Sequence, residues 1–477
     1  MMDKVVFFGA GRIGKRMLIL FNEFGVKVSL FLDSSSEKWN SDCFGVDIIK
    51  PDNIDDIRHC IFFITCNQEN EIREKLKLLG VHETYIRRGN TMTSMLSFLI
   101  LEQKLKLCEL YKEKSSNSLC ERKAFIDLQK GFVLGGVESW SLQTMKTLEK
   151  LGINTKLFTS NLYRHTVEID KKNILELNYC CEYSEKRRLE ICLKRIIEEK
   201  PDIFICNFIS YNFFAAVIAK KDYLKNMKII AVLHNDEDAY YEGYVAFQDS
   251  LSCCLVISTM MKDKLIRLGF PNEKIILLPW KITQHQRFEH QYSSYNKPIK
   301  IGYAGRLVMV QKRIDLILKV VSSLKELGIS YRLEIAGNGS YEEKIKENII
   351  KQHLEEQVKL IGCVKQKDIK KFWERQDIML SCSEWEGHSI SQCEAMSVGV
   401  VPVITDVSGV RDDVEDGYNG FVRSVGDIEG LTESIIFLYQ RREKLNEMGK
   451  NSFEIIKKKY ANFDEVGFWK ELLERRL

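Results

Sequence analysis

Glu386 and Glu394 are separated by seven residues in the stretch Ser383–Asp427, SEWEGHSISQCEAMSVGVVPVITDVSGVRDDVEDGYNGFVRSVGD. The apolar run Ile378–Ser381 reads as a strand, the residues after it as a polar turn, and Ser389–Ser397 as a helix. Such a strand-to-helix turn lies at the carboxyl end of a parallel sheet, where α/β ligands bind. Gly387, His388, Ser389 and Ile390 open the helix, so their backbone N–H groups and the positive end of the dipole suit a diphosphate. Glu386 sits in the turn, and Glu394 comes about two helical turns later on the same face. Carboxylates accept paired hydroxyls, so one can serve a sugar and the other a ribose diol. The spacing alone fits equally well a solvated loop residue and an exposed helix face.

Two further places carry chemistry by position. Gly135-Gly136, in QKGFVLGGVESW, separates the strand Ala124–Leu128 from a helical stretch Glu138–Leu148 and can cradle a phosphate or a sugar. An ordinary tight turn reads the same way. His234 ends the strand Lys228–Leu233 in AVLHND, at a carboxyl end where it could meet a ligand hydroxyl or play a structural part.

The elements that must position these residues alternate between strand and helix almost throughout, which indicates parallel α/β architecture. The polar stretches Lys112–Ser118 and Gln284–Pro298 read as joints. They delimit three modules: residues 1–118, 119–283, and 284–477, the last including its linker and a final helix near Phe463–Arg475 that crosses back. A net charge of +4 does not indicate a nucleic-acid binder. The 14 cysteines form no C-x-x-C and many lie in apolar runs, as buried free thiols do in a reducing compartment. No signal peptide is evident, and the apolar run Met92–Leu101 is too short to span a bilayer. We therefore expect a cytoplasmic protein, with peripheral contact at the inner membrane face open to it.

The long C-terminal stretch resembles the retaining glycosyltransferases with the E-x7-E motif, the glycosyl transferases group 1 pattern. Glu386, Gly387, Glu394, Ala395, Met396, Gly399, Pro402 and Val403 match its first part, and Gly409, Asp416, Gly417, Asn419 and Gly420 its second. The resemblance implies a GT-B fold, two Rossmann-like domains facing a cleft, with an extra Rossmann-like domain in front. It implies a nucleotide-diphosphate sugar as donor, with UDP and GDP both open, and a glycan or lipid-linked glycan as acceptor in cell-envelope polysaccharide synthesis. Glu386 would then orient the sugar, and His234 would hydrogen-bond a donor hydroxyl.

The segment GYAGRLVMVQKR looks like the family's G-R-L-x-x-x-K and assigns Arg306 and Lys312 to the diphosphate, with Arg313 a competitor for the second place. Gly337 and Gly339 in EIAGNG resemble a turn that lets the backbone approach the nucleotide, and Cys363 and Val364 fall where the backbone lies beside the base. Gly135 and Gly136 match a loop that closes on the donor. Leu278-Pro279-Trp280-Lys281 replaces the family's I-P-N-G. Two fixed cations can replace a metal at the leaving group, so we expect no metal and no Asp-x-Asp element.

The first module carries its own motif. VVFFGAGRIG places Gly9, Gly11 and Gly14 after a strand, with Asp33 ending the next one, the arrangement of a dinucleotide site with NAD(P) or another nucleotide as ligand. Its first 120 residues hold no Tyr-x3-Lys, the usual acid-base pair of short-chain dehydrogenases and epimerases. Regulatory binding, a bare scaffold and redox or epimerase chemistry all remain open for it. For the whole chain, the rival to sugar transfer is a non-catalytic sugar-nucleotide-binding scaffold.

Overall fold

The computed structural model describes residues 4–51, 60–89, 91–101, 122–128, 136–160, 170–178, 183–278, 287–365, 367–460 and 463–474. The Lys112–Ser118 joint, Gly135 and Pro279–Lys281 lie outside them.

Three sheets divide the chain. The first contains β1 (Lys4–Phe8), β2 (Val28–Leu32), β3 (Ser41–Cys43), β4 (Val46–Ile49), β5 (Cys60–Ile64) and β6 (Ile86–Arg88), in the order β3-β4-β2-β1-β5-β6. The second contains β7 (Lys123–Asp127), β8 (Asn154–Ser160), β9 (Ile174–Leu177), β10 (Ile203–Cys206), β11 (Lys228–Leu233), β12 (Cys253–Val256) and β13 (Ile275–Leu277), ordered β13-β12-β11-β10-β7-β8-β9. In the third, β14 (Ile299–Ala304), β15 (Tyr331–Ala336), β16 (Val358–Gly362), β17 (Ile378–Ser381), β18 (Val401–Thr405) and β19 (Phe421–Arg423) run β16-β15-β14-β17-β18-β19.

Each sheet reverses its winding once, between β1 and β5, between β7 and β10, and between β14 and β17. Loops leaving the carboxyl ends on either side of such a reversal diverge and open a crevice. The strands flanking these crevices are apolar because both faces are covered: Cys60–Ile64 and Ile203–Cys206 are buried at every residue. The edge strands β3, β6, β9, β13 and β19 are too short for their periodicity to be read from the sequence alone.

The first module does not stand apart. Its apolar helix Met92–Leu101 has Met95, Leu96, Phe98, Leu99 and Ile100 buried, in one hydrophobic core with Phe213, Tyr244 and Phe247 of the second module. Gly243, on the helix Asp238–Ala246, lies so close that a Cβ there would meet Ile209 and approach Thr93 at 3.3 Å. Arg88 pairs with Glu242 across the same junction, and the Ser94 hydroxyl donates to Glu242 at 3.2 Å. An apolar stretch of membrane-like composition is thus an interdomain face. No described helix is long and apolar enough to cross a membrane.

The C-terminal helix Glu465–Glu474 packs on the second module. Trp469 is buried in that module's core and lies 6.4 Å from Trp140, while the Gln143 amide donates to Glu465 at 2.9 Å. Lys228 adds a bond to the Leu473 carbonyl at 3.0 Å.

Phe98 tests the shared core. Its ring sits 4.9 Å from Phe63 and 5.8 Å from Phe21. We expect Phe98→Ala to cost about 3–5 kcal/mol and to lower the calorimetric transition of the second module together with the first. A scan in which the first module melts early and the remainder is unshifted would contradict a continuous core.

Candidate functional site

The crevice of the third sheet gathers the charged residues. Beyond β14 the chain passes through Gly305 and Arg306 into a short helix Met309–Lys312; beyond β17 it runs through Ser383 and Glu386 to the helix Ile390–Ser397. Lys312 and Glu386 form an ion pair, their side chains 17% and 10% exposed. The Ser383 hydroxyl donates to the same Glu386 oxygen at 2.7 Å. Arg306 donates to the Gln311 side-chain oxygen at 2.6 Å, and the Gln311 amide donates to the Trp385 carbonyl at 3.2 Å. Two cations, one carboxylate and a helix N-terminus therefore converge.

Arg313 is turned elsewhere, paired with Asp315 and, at 2.8 Å, with Glu384. Of the two candidates it is Lys312 that reaches Glu386. Ser389 caps the helix by accepting from the Gln392 N–H at 3.3 Å.

Gly337 and Gly339 seat Arg306. Gly337 has φ of 142°, and a Cβ on it would overlap the Gly305 carbonyl oxygen; one on Gly339 would overlap that of Leu307. Two backbone bonds fix this approach, Gly305 N–H to the Ala336 carbonyl at 3.0 Å and Leu307 N–H to that of Asn338 at 2.8 Å. Cys363 is exposed and Val364 half-buried just past β16, on the same side of the sheet. Glu394 is half-buried on the helix Ile390–Ser397. Glu386 lies in the turn four residues before that helix and Glu394 within it, where the sequence places them.

The second sheet supplies the opposite wall. His234 follows β11 and is 5% exposed. Its Nε2 lies 2.9 Å from the Asn207 side-chain oxygen, while both Asn207 amide protons are committed, to the Asp127 carbonyl at 2.8 Å and to Ser141 Oγ at 2.9 Å. Asn207 can therefore only accept from the imidazole, which fixes the proton on Nε2 and leaves a lone pair on Nδ1. Nδ1 is buried without a partner, ready to accept from a ligand hydroxyl. Burial pulls the His234 pKa down to about 3, and Trp140 covers the ring edge-to-face at 5.1 Å. Sequence reasoning missed Asn207; its signal was a polar residue ending the apolar run Ile203–Cys206.

The walls touch. A Cβ on Gly387 would overlap the His234 carbonyl oxygen, and one on Gly136 would meet Ile390 at 3.0 Å. Ser258 and Ser408 share a hydroxyl bond of 2.9 Å, and Asp412 accepts from the Thr259 N–H at 2.9 Å.

An Asp-x-Asp does occur in the chain, Asp236-Glu237-Asp238, contrary to the expectation from sequence. Lys264 binds both its aspartates, at 2.9 and 3.2 Å, and the Tyr241 hydroxyl donates to Asp236 at 2.7 Å. A lysine already neutralises the pair, which makes it a poor metal site.

In the first module, Gly9 and Gly11 lie in the turn between β1 and the helix Arg12–Glu23, and Gly14 lies in the first turn of that helix. The carboxylate of Asp33 is taken up by that module, accepting from the Ala10 N–H at 2.8 Å, the Ser35 N–H at 2.9 Å and Lys38 at 3.0 Å. Burial raises its pKa, but the bonds from Ser35, Lys38 and Ala10 outweigh burial and hold it below the usual value. The same acid thus ties the end of β2 to the glycine turn.

Comparisons with known proteins bear on all three modules. Residues 284–455 match the family Glycosyl transferases group 1, residues 134–280 match Glycosyltransferase Family 4, and residues 1–87 match C2185-like, N-terminal. The amylovoran biosynthesis glycosyltransferase AmsK of Erwinia amylovora is 26% identical over 50% of this chain and 61% of its own length. The poly(ribitol-phosphate) alpha-N-acetylglucosaminyltransferase of Staphylococcus aureus is 24% identical over 60% of this chain and 59% of its own. The chain thus spans about three fifths of these relatives. Among solved structures, the lipopolysaccharide outer core galactosyltransferase WaaB is 21% identical and superposes with a TM-score of 0.58 over 73% of this chain and 99% of its own. The pneumococcal O-GlcNAc transferase GtfA, solved with UDP and GlcNAc, is 15% identical with a TM-score of 0.59 over 74% and 99%. The second and third modules have the GT-B fold.

His234 yields a pH test. Its pKa is about 3 when folded against 6.5 in an unfolded chain. Between those values the unfolded chain holds the extra proton, so stability is full above 6.5 and falls as pH drops below it. The slope is at most about 1.4 kcal/mol per pH unit. We expect His234→Gln to flatten the decline of the thermal midpoint between about pH 6.5 and 5. Equal slopes in both proteins would show that the folded imidazole is charged.

Proposed function

This chain carries the paired family 4 and group 1 glycosyltransferase domains, and on that premise we propose that it transfers a sugar, with retention of anomeric configuration, from a UDP- or GDP-sugar to a hydroxyl of a glycan or lipid-linked glycan in surface-polysaccharide synthesis. The observation that carries the reading is the Lys312–Glu386 pair, set between Arg306 and a helix N-terminus, with the lone pair of His234 on the opposite wall. That arrangement offers positive charge for a diphosphate and acceptors for sugar hydroxyls.

The donor diphosphate lies on the N–H groups of Gly387–Ile390, with Arg306 and Lys312 against its oxygens. As the bond from the anomeric carbon to the phosphate oxygen breaks, charge grows on the nucleotide, and the two cations stabilise it without a metal. The acceptor oxygen bonds to the anomeric carbon on the same face, and its proton passes to the departing phosphate oxygen. Glu386 accepts from the sugar and orients it, His234 Nδ1 accepts from another donor hydroxyl, and Glu394 accepts from the ribose. Positioning and electrostatics supply most of the rate. Backbone at Cys363 and Val364 lies beside the base, which leaves no side-chain code to tell uracil from guanine. A lipid-linked acceptor would bring the chain to the inner membrane face. The first module performs no redox step in this reading, since Asp33 is engaged within its own turn.

A thermal-shift panel of UDP-, GDP- and ADP-sugars identifies the donor, because a ligand of the folded state raises the midpoint. Nucleotide release with that donor then separates a transferase from a binding scaffold. We expect Glu386→Gln to lower turnover about a hundredfold, roughly 3 kcal/mol, with nucleotide affinity little changed. Glu394→Gln should instead weaken nucleotide binding with a smaller effect on turnover. Wild-type kinetics in both variants would remove the site assignment.

The cations are tested through the leaving group. Arg306→Ala and Lys312→Ala should each cost about a hundredfold in rate, and magnesium or manganese added to the wild-type protein should leave turnover unchanged. Strong stimulation by either ion would overturn the metal-free leaving-group reading.

A further inference from the structure

Behind the donor turn lies a second constellation that sugar transfer does not use. His388 keeps its backbone in the turn, but its imidazole is turned to Cys393 and Asp413, and all three residues are buried. They come from three elements: the turn, the helix Ile390–Ser397 and the short helix Val410–Asp413. His388 Nε2 stands 3.1 Å from Cys393 Sγ and 3.1 Å from Asp413 Oδ2, and Sγ stands 3.4 Å from that Oδ2. We propose that His388, Cys393 and Asp413 bind one divalent transition-metal ion, zinc foremost, which clamps the donor turn to the short helix Val410–Asp413.

Three features support an ion. Hydrogen bonding uses two edges of the triangle, with the Cys393 S–H and the His388 Nε2–H both directed at Asp413 Oδ2, and leaves the close Nε2–Sγ edge without a bond of its own, whereas a metal engages all three atoms at once. Tetrahedral zinc, with bonds of about 2.0–2.3 Å, holds neighbouring donors about 3.3–3.6 Å apart. The observed edges are slightly shorter, so a small outward movement admits the ion. The donor set is nitrogen, sulfur and oxygen, which suits zinc and disfavours magnesium and calcium.

The surroundings fit as well. Asp413 Oδ1 is held by Lys459 at 3.0 Å and by the Tyr460 hydroxyl at 2.8 Å, which leaves Oδ2 to the cluster in the manner of an outer-shell support. On binding, the Cys393 thiol loses its proton to solvent and the imidazole offers the Nε2 lone pair as its neutral Nδ1–H tautomer, so thiolate and carboxylate balance the dication. Three protein ligands leave a fourth position for water.

The test reads metal, not transfer, so its failure and that of the proposed activity are distinguishable. The full chain, purified through a tag free of histidine from zinc-supplemented and from cobalt-supplemented medium, is analysed for metal content. We expect about one ion per chain, a thiolate-to-cobalt charge-transfer band, and loss of that band in Cys393→Ser. Cys363→Ser, which removes an exposed thiol, should keep both. X-ray absorption of the wild-type zinc protein guards against a variant that fails to fold: it should show a single sulfur neighbour at about 2.3 Å. Metal at background in both preparations, a band that persists in Cys393→Ser, or a sulfur-free zinc shell would each overturn the proposal.

Discussion

Two cations and a helix N-terminus at one crevice repel one another, and a carboxylate buried among them is costly unless paired. The Lys312–Glu386 ion pair resolves both problems at once. Breaking a buried pair by removing one partner leaves an uncompensated charge and costs about 3–5 kcal/mol, so the loops carrying the two residues are bound to a single arrangement. Gln311 reinforces it, with its backbone carbonyl on the Glu384 N–H at 2.8 Å and its side chain between Arg306 and Trp385. In the proposed function a diphosphate brings negative charge to the same place and takes over Lys312, which frees Glu386 for a sugar hydroxyl.

That electrostatic knot needs backbone at unusually close range. Gly337 and Gly339 let one loop lie directly on the segment carrying Arg306, and Gly387 lets the turn after Glu386 touch the His234 carbonyl. A side chain at any of these would push a charged group or a wall of the cleft outward. Catalytic displacements of even about 1 Å can cost about a hundredfold, so here the absence of a Cβ acts on geometry more than on flexibility.

Much of this is legible in the sequence, for physical reasons that differ by residue. The central strands announce themselves because a parallel sheet covered on both faces needs unbroken apolar runs, and Ile203–Cys206 and Ile378–Ser381 are such runs. The charged residues can be found because they sit in the loops leaving those strands. What stays hidden is pairing at long range. Nothing local tells that Asn207 fixes the tautomer of His234, or that Lys312 rather than Arg313 turns inward. Met92–Leu101 looks like a free apolar segment because its partner, the helix Asp238–Ala246, lies far along the chain.

The same partner gives the first module a place in the argument. The helix Asp238–Ala246 begins four residues after His234, and its Tyr241, together with Lys264, holds the Asp236 carboxylate in the connecting segment. Its far face is covered by Met92–Leu101. The first module therefore packs directly on the element that comes after His234, and Asp33 ties the module's own turn to the end of β2. A rigid body docked through a buried apolar face transmits position without needing a ligand of its own. On this physical ground it is the helix Met92–Leu101, and not the glycine turn, that ties the first module to the element following His234.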